Sequence, residues 1–388
     1  MTNRMRASVH RFTMKDPSDV SQLARAIESG LINPACIIAF IGKTEGNGLV
    51  NDFTRGYLVQ SLVLLLAPLR AQSADDVLGS VAFVFSGGTE GVLSPHYSVF
   101  CVEPSHSSGP ASQVISARNT TGNGDTTPRK RLAIGRALTR VPLPEEIGTR
   151  AQAMLVADAV ALAMTEAGLE SLDDVHFVQV KGGCVTTEAA REATARGVRL
   201  ASSDPNRSMT LSRVAGAFGV MQALGEITAD AWDESFFLQR ADLWSSRASV
   251  SSGIEVGMNE VVVFGNSDRW DSDFVIAHHT MEDAVDIGAV YACLESLDMH
   301  CRGDNHAACL QQIACALVKC EPDARGQVRG QRHTMWQDGD LNAQRHIRGA
   351  VGGLVASVLG DTRIFVSGGA EHQGPPGGGL LALIARTR

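Results

Sequence analysis

The feature that most constrains the fold of this chain is an internal repeat. An apolar, β-branched run that ends in a lysine occurs three times, and the two intervals between these lysines are equal. The three residues are Lys43, Lys181 and Lys319. Regular internal repeats decide the fold class before any single motif does. We therefore expect three like units in one molecule.

Two further residue types recur in a fixed order after each lysine. An arginine stands before a segment with apolar residues at helical spacing, and we expect it to open a helix. A short β-like run then ends in the pattern Ser-x-Gly-x-Glu. The arginines are Arg55, Arg213 and Arg348, and the motif serines are Ser86, Ser251 and Ser367.

These repeats divide the chain into units at residues 1–104, about 112–252 and about 258–388. The stretch 104–127 is rich in Ser, Gly and Thr and predicts an exposed linker, and a weaker break is expected near 265–273. Strands and helices alternate, which predicts an α/β fold with helices packed outside the sheets. We expect the three units to surround a pseudo-threefold axis, with central strands, so that equivalent residues converge on one site.

The composition favours a soluble, cytoplasmic protein without nucleic-acid or membrane partners. The formal net charge is −8, whereas phosphate backbones and anionic lipids attract clustered Lys and Arg. The N-terminal residues lack the apolar core of a signal peptide, and polar residues and a proline interrupt the most apolar stretch, 58–69.

Two motif-like segments do not support cofactor chemistry. Histidines and cysteines crowd together between His300 and Cys320 without a CxxC pair, and we interpret Ala307 to Val318 as a buried helix in which cysteines are small, reduced, apolar side chains rather than zinc ligands. The sequence around Gly42-Lys43-Thr44 has only the tail of a P-loop, so nucleotide binding is not expected.

The repeated residue types together suit acyl transfer. Serine becomes a nucleophile when a base takes its proton, and lysine can be that base if burial or nearby cations lower its pKa. A Ser-Lys dyad is a known arrangement of this kind. Glycines beside each serine would let backbone N–H groups reach a developing oxyanion, and arginines would hold further carbonyl oxygens. A small, flat ring with several carbonyls is the expected guest.

Long strings of this sequence resemble the cyanuric acid hydrolase and barbiturase family of cyclic amide hydrolases, over nearly the whole chain. The strings are IGKTEGNGLVNDFTRG at 41–56, SGGTEGVLSPH at 86–96, VRGQRHTM at 328–335 and VSGGAEHQGPPGGG at 366–379. The resemblance implies three units around a pseudo-threefold axis, with strands inside. It also implies ring opening by hydrolysis, of cyanuric acid to carboxybiuret, which decarboxylates to biuret, or of barbiturate to ureidomalonate.

The resemblance assigns Ser251 as the nucleophile and Lys181 as its base. Alignment of the three motif copies places Ser251, rather than Ser252, at the position of the other two serines, and Ser252 then contacts substrate through its backbone. The remaining positions implied to bind substrate are Lys43, Arg55, Ser86, Gly87, Arg213, Ser252, Lys319, Arg348, Ser367 and Gly368. From spacing alone, any of the three serines could attack.

The resemblance further implies a structural magnesium or calcium ion, no catalytic cofactor, and a homotetramer. The implied metal positions are Glu321, Ala370, Gln373, Gly374, Pro375 and Gly378. One carboxylate with several carbonyl oxygens would suit a hard cation.

The chain departs from the family pattern after the expected base, where Lys-Cys-Pro-Leu-Leu-Thr is replaced by Lys181-Gly-Gly-Cys-Val-Thr186. Arg213 in SRVAGAFG, and GGAEHQG in the third unit, look more like the cyanuric acid hydrolases than the barbiturases, so the resemblance favours cyanuric acid as substrate. Two alternatives stay open: a barbiturase with the same dyad, and a non-catalytic protein that binds cyclic imides because the altered loop has abolished turnover.

Overall fold

The computed structural model describes residues 4–105, 129–300 and 306–387. These residues form three four-stranded sheets of one topology and a small two-stranded sheet. In each large sheet the first strand pairs antiparallel with the fourth, the fourth antiparallel with the second, and the second parallel with the third. The predicted α/β fold of three like units is confirmed. Most of the predicted linker, 106–127, lies outside the described residues.

The first unit begins with a strand, continues through a helix to a second strand, and returns through two helices to the last two strands. Its strands are β1 (Met5–Thr13), β2 (Ile37–Thr44), β3 (Ala82–Gly87) and β4 (His96–Pro104). Its helices are α1 (Ser21–Glu28), α2 (Phe53–Arg70) and α3 (Ala74–Leu78). Asp52 caps α2 by accepting a hydrogen bond from the backbone of Thr54, which fixes where this helix begins.

The second unit repeats this order of strands and helices. Its strands are β5 (Arg131–Leu138), β6 (Val175–Gly182), β7 (Ala248–Ser252) and β8 (Glu260–Ser267). Its helices are α4 (Arg150–Ala167), α5 (Thr187–Ala195) and α6 (Pro205–Ala223). Proline at the first position of α6, after the Asp204 cap, suits a helix start because the missing N–H would have no partner there.

The third unit closes the set. Its large sheet contains β9 (Phe274–Met281), β10 (Ile313–Cys320), β13 (Phe365–Gly368) and β14 (Gly379–Arg386), and β11 (Gln327–Val328) and β12 (Gln331–Arg332) form the small sheet. Its helices are α7 (Ile287–Ser296), α8 (His306–Leu310) and α9 (Ala343–Leu359).

The pairing of β8 moves the expected boundary between the second and third units. This strand hydrogen bonds to β5 and β6, so residues 260–267 complete the second sheet although the sequence places them after 258, in the third unit. The connection to β9 falls at 268–273, within the weaker break near 265–273. A unit boundary drawn at the Ser-x-Gly-x-Glu motif leaves out the fourth strand, because this strand follows the motif in every unit.

The side chains of alternate strand residues separate an inner core from outer cores. In β2, Ala39 and Ile41 belong to an apolar cluster shared by all three units, whereas Phe40 belongs to a cluster with the helices of the first unit. The third unit behaves alike, since Leu317 faces the shared cluster and Val318 the helical one. Period-two alternation therefore points every second residue towards the centre. Strands lie inside and helices outside, as expected.

Three local expectations from sequence are wrong. Helices α6 and α9 begin before Arg213 and Arg348, at Pro205 and Ala343, because their caps lie upstream of the apolar pattern. The segment 307–318 is not one helix, since α8 ends at Leu310 and β10 follows. Six described cysteines are free thiols but Cys309 is disulfide-bonded, so not all cysteines are reduced.

Candidate active site

The strand register places each repeated lysine beside its serine. The second and third strands of every sheet run parallel, and in each pair the lysine and serine are directly opposite. The pairs are Lys43 with Ser86, Lys181 with Ser251 and Lys319 with Ser367. Residues opposite each other on neighbouring strands project to the same face, here the inner one. The equal lysine intervals in the sequence thus correspond to equivalent places in three sheets.

In the first and third units the lysine and serine form a hydrogen-bonded dyad. Lys43 Nζ donates to Ser86 Oγ at 3.2 Å and to the Gly87 carbonyl at 3.1 Å. Lys319 Nζ donates to Ser367 Oγ at 3.2 Å and to the Gly368 carbonyl at 3.3 Å. Both serine hydroxyls are therefore occupied as acceptors. The carbonyls of Gly87 and Gly368, two positions implied to bind substrate, also accept hydrogen bonds from these lysines.

The second unit differs from the other two. Lys181 Nζ lies 2.6 Å from Glu255 Oε1 and donates to the Phe85 carbonyl at 2.8 Å. Among the described residues, the buried Ser251 Oγ has no hydrogen-bond partner. The adjacent Ser252 donates its hydroxyl to the Met209 carbonyl at 2.8 Å, so its side chain serves the fold. Ser251 is thus the motif serine whose hydroxyl is not held by a lysine.

Each repeated arginine crosses into the neighbouring unit and meets the glutamate of that unit's motif. Arg348 grips Glu90 through two hydrogen bonds of 2.7 and 3.0 Å. Arg213 grips Glu371 in the same forked way at 2.5 and 2.8 Å.

Arg55 completes the cycle, with its Nε 2.9 Å from Glu255 Oε1. The first unit contacts the second, the second contacts the third, and the third contacts the first. Such a closed cycle agrees with a pseudo-threefold arrangement of the three units.

The glycine in Ser-x-Gly-x-Glu has a steric reason. A Cβ at Gly253 would lie 2.1 Å from Glu255 Oε2, and one at Gly88 would lie 2.4 Å from Glu90 Oε1. At Gly369, where φ is +75°, a Cβ would lie 2.5 Å from Arg213 Nε. The motif therefore needs glycine so that the carboxylate and the incoming arginine can fold back against the backbone.

Burial and nearby charge tune the three lysines differently. Their side chains are almost completely buried, and burial lowers the pKa of each below that of an exposed lysine. Burial and then Arg348 hold the pKa of Lys43 well below its usual value, and burial brings the pKa of Lys319 to about 7. At Lys181 the lowering of the pKa by burial is opposed by the charge of Glu255. The second lysine is therefore the one that is ion-paired directly with its motif glutamate.

The motif glutamates are ionised despite their burial. Burial raises the pKa of Glu90, but hydrogen bonds from Arg348 and the charge of that residue outweigh it and bring the pKa to about 2. Lys181 and Arg55 likewise hold the pKa of Glu255 below its usual value against the effect of burial. Sequence reasoning assigned no role to these glutamates, although their fixed place in the repeated motif was the available signal.

Comparison with known proteins identifies the family of this constellation. The model of the ring-opening amidohydrolase family matches residues 8–386. The chain belongs to this family. The predicted family and enzyme class, a hydrolase acting on the carbon–nitrogen bonds of cyclic amides, are confirmed at this level.

Relatives of this ring-opening amidohydrolase match it from end to end. A cyanuric acid amidohydrolase of Ectopseudomonas oleovorans is 48% identical over 99% of this chain and 100% of its own length. A cyclic amide hydrolase of Azorhizobium caulinodans is 42% identical over 99% of this chain and 100% of its own. The solved structure of a cyanuric acid hydrolase from A. caulinodans, 44% identical, superposes with a TM-score of 0.86 over 99% of this chain and 100% of its own.

The positions expected to hold a metal ion in this amidohydrolase fall mostly around one cavity. Glu321, Ala370, Gly374 and Pro375 line a cavity of about 200 Å³. Gln373 is buried and its Oε1 accepts the backbone N–H of Val250 at 2.6 Å, so its side chain braces the strand that carries Ser251. The Gly378 N–H donates to the Pro375 carbonyl at 2.9 Å.

Glu321 fits a cation at this cavity. Its carboxylate accepts the backbone N–H of Ala370 at 3.0 Å and makes no ion pair within the described ranges. Burial and the charge of Glu371 raise the pKa of Glu321 to about 8. A buried carboxylate without a paired cation is costly, and a hard ion held by this oxygen and nearby carbonyls would relieve that cost. The described residues contain no cluster of three or more His, Cys, Asp or Glu side chains suited to a metal.

Proposed function

We propose that this ring-opening amidohydrolase hydrolyses cyanuric acid. The observation that carries the proposal is the closed cycle in which each Lys-Ser-Glu set receives an arginine from a neighbouring unit. Three equivalent sets of donors suit a flat ring with three equivalent carbonyls. Two relatives, 48% and 45% identical to this chain, are named cyanuric acid amidohydrolases, which supports the same substrate.

In the proposed mechanism Ser251 attacks one ring carbonyl. Its Oγ is the motif hydroxyl that no lysine holds, so it is free to form a bond. Lys181, directly opposite on β6, accepts the proton of the hydroxyl as the Oγ–C bond forms. The ring C–N bond then breaks, and Lys181 returns the proton to the departing nitrogen. Water releases the acyl group as carboxybiuret, which loses carbon dioxide to give biuret.

The remaining repeated residues hold and polarise the ring. Ser86 and Ser367 are each held by a lysine on the inner face of their sheets, and Arg348 and Arg213 each form a two-bond ion pair with a motif glutamate. Charge-assisted donors aimed at carbonyl oxygens stabilise the negative charge that develops there. The backbone N–H groups beside the three serines supply further donors.

The test is a ring-opening assay with matched serine variants. Purified protein is incubated with cyanuric acid, and loss of the ring and appearance of biuret are followed. We expect Ser251→Ala to lower kcat by about 10³-fold or more, as removal of a nucleophile does. The matched variants Ser86→Ala and Ser367→Ala should retain much more of kcat and raise KM. Equal loss in all three variants would contradict the assignment of Ser251.

The same assay decides between the alternatives. A barbiturase would open barbiturate to ureidomalonate faster than it opens cyanuric acid. A non-catalytic binding protein would gain thermal stability with either ring and form no product. The altered Gly182-Gly183 loop after Lys181 is the feature that this second alternative invokes.

We further propose a structural magnesium or calcium ion at Glu321 and the carbonyl-rich loop after the third serine, formed by residues 370–378. The ion would neutralise the buried carboxylate and fix the loop that carries Gln373. Metal analysis of the purified protein and its melting temperature with and without chelator test this. We expect about one ion per chain and a lower melting temperature after chelation, whereas Glu321→Gln should bind no ion and be insensitive to chelator.

The homotetramer implied by the family resemblance stays a proposal. Helix α2 exposes Phe53, Tyr57 and Leu64, whose spacing places them along one side of the helix, and exposed apolar stripes often mark subunit contacts. Light scattering of the purified protein gives its mass directly, and a monomer would contradict the proposal.

In the described part of the chain, no helix is both long and apolar enough to cross a bilayer. The cytoplasmic location stays a prediction.

A further inference from the structure

The second dyad differs from the other two in having a buried carboxylate, outside the repeated motif, beside its lysine. Glu260, the first residue of β8, is directly opposite Lys181 of β6, on the side away from Ser251. Lys181 therefore stands between a serine on one neighbouring strand and a glutamate on the other. The residue is 4% exposed, so its charge acts in an environment that screens it poorly.

The position of Glu260 is fixed by a contact with another unit. Its Oε2 accepts the backbone N–H of Phe83 at 2.7 Å, and Phe83 lies on β3, the edge strand of the first sheet. The carboxylate therefore satisfies an edge-strand donor that would otherwise be buried without a partner. This bond holds the acidic side chain against the second dyad.

The equivalent positions in the other units are not acidic. The residue opposite Lys43 on β4 is His96. In the third unit the position is Leu380, because Leu381 pairs with Val318 as Val261 pairs with Val180. The position that flanks the lysine therefore differs among the three units, and of the three residues there only Glu260 is acidic.

From this geometry we propose that Glu260 is a positioning residue for the reaction. Its charge sets the pH at which Lys181 loses its proton and becomes the base. The lysines of the other two dyads have no such neighbour. The inference rests on the proposed function, since it concerns the base of the ring-opening step. Glu260 itself would not touch the substrate.

The charged groups around Lys181 and Glu260 determine how strongly Glu260 affects the protonation of Lys181. The groups facing Lys181 are Glu255, Arg55, Glu260 and Cys184, and those facing Glu260 are Lys181 and Glu255. Burial raises the pKa of Glu260 to about 8 and lowers the pKa of Lys181, so burial brings the two pKa values closer together. An ionised Glu260 favours the protonated form of Lys181 and so raises the pKa of that lysine, whereas a neutral Glu260 does not.

The test is the pH profile of kcat/KM for cyanuric acid in the parent protein and in Glu260→Gln. Glutamine retains an oxygen that can accept the Phe83 N–H but cannot carry charge. The rate should rise with pH as Lys181 loses its proton, and we expect the midpoint of this rise to move to lower pH in Glu260→Gln by about one unit, the shift expected for loss of a nearby opposite charge. A role limited to the Phe83 contact would leave the midpoint unchanged.

His96→Gln is the matched control, because it changes the equivalent position beside Lys43. Its midpoint should stay at the parent value. An unchanged midpoint in Glu260→Gln, or an equal shift in both variants, overturns the inference while the ring-opening activity of the parent stands. If the parent opens no cyanuric acid at any pH, the proposed function fails first and the inference falls with it.

A second variant covers the case in which Glu260→Gln does not fold. Glu260→Asp keeps the charge but moves it away from Lys181 by one methylene, so its midpoint should also lie below that of the parent. A folded Glu260→Asp with the parent midpoint contradicts the inference. Circular dichroism and thermal unfolding establish that each variant is folded.

Discussion

Arg55 of the first unit reaches Glu255 of the second across a gap of 2.9 Å, and this pair is one of three that close the molecule on itself. In each pair a guanidinium from one unit lies against a carboxylate of the next, and both side chains are largely shielded from solvent. Lys181 shares Glu255 with Arg55, whereas the arginines of the other two pairs leave their lysines to the serines. All three arginines therefore make the same kind of contact. The lysines do not, since Lys181 pairs with a glutamate and the other two donate to their serines.

Breaking one of these pairs should destabilise the protein severely. Glu90→Gln leaves Arg348 buried without a counter-charge, which costs about 3–5 kcal/mol in the free energy of unfolding. We also expect ring-opening activity to fall. Denaturant unfolding measures the loss. The matched control is Glu170→Gln, which removes a highly exposed ion pair with Arg269 and should change stability by less than about 1 kcal/mol. Equal effects of the two variants would contradict the structural role of the cycle.

The packing of α6 on β7 should control the position of Ser251. A Cβ at Gly216 would lie 2.6 Å from Val250 Cγ1, next to the serine in sequence. We expect Gly216→Ala to cost about 1–3 kcal/mol through overpacking and to lower kcat, because the helix must push the strand. Gly353→Ala in α9 meets open space and should be neutral or up to about 1 kcal/mol stabilising. Unfolding and kinetic measurements on both variants test this, and normal kcat in folded Gly216→Ala would count against it.

The parent protein should become more active as pH rises from neutral. Burial lowers the pKa of Lys181 although Glu255 opposes the effect, so the neutral base forms below the usual lysine value of 10.5. We expect kcat/KM to increase with pH and to level off before that value. A profile that is flat, or that rises only above 10.5, would exclude Lys181 as the base.

A histidine pair between the second and third units should make the protein labile to acid. His176 and His278 approach through their Nδ1 atoms at 2.9 Å, and burial lowers their pKa values to about 4 and about 3. The unfolded chain binds protons at these histidines below about 6.5, while the folded protein does not. Stability is therefore complete above pH 6.5 and is lost as pH falls towards 4 and 3.

Denaturant unfolding between pH 7 and 5 measures this effect. The expected slope is about 1.4 kcal/mol per pH unit for each histidine, and His278→Gln should make it shallower. His300→Gln, which changes an exposed histidine, should leave the slope as it is. A parent protein with no loss of stability down to pH 5 would contradict this account.

Sequence alone predicted the parts of the site that follow from local rules. The repeated order of Lys, Arg and Ser predicted that these residues converge, and the structure places Lys43 beside Ser86 and Lys319 beside Ser367. It did not predict the fourth strand of the second unit correctly, because β8 carries no motif. Nor could it separate Ala307–Leu310 from β10, since helix and strand are both apolar there.

What the sequence by itself determined is the repeat: three units, their α/β character, and the residue types that each brings to the centre, because these depend on spacing along the chain. Only the tertiary structure decided which arginine meets which glutamate, and that Lys181 is paired with Glu255 and flanked by Glu260. These partners come from different strands, helices and units. The docking of sheets, rather than any local pattern, sets their distances and removes the water that would screen their charges.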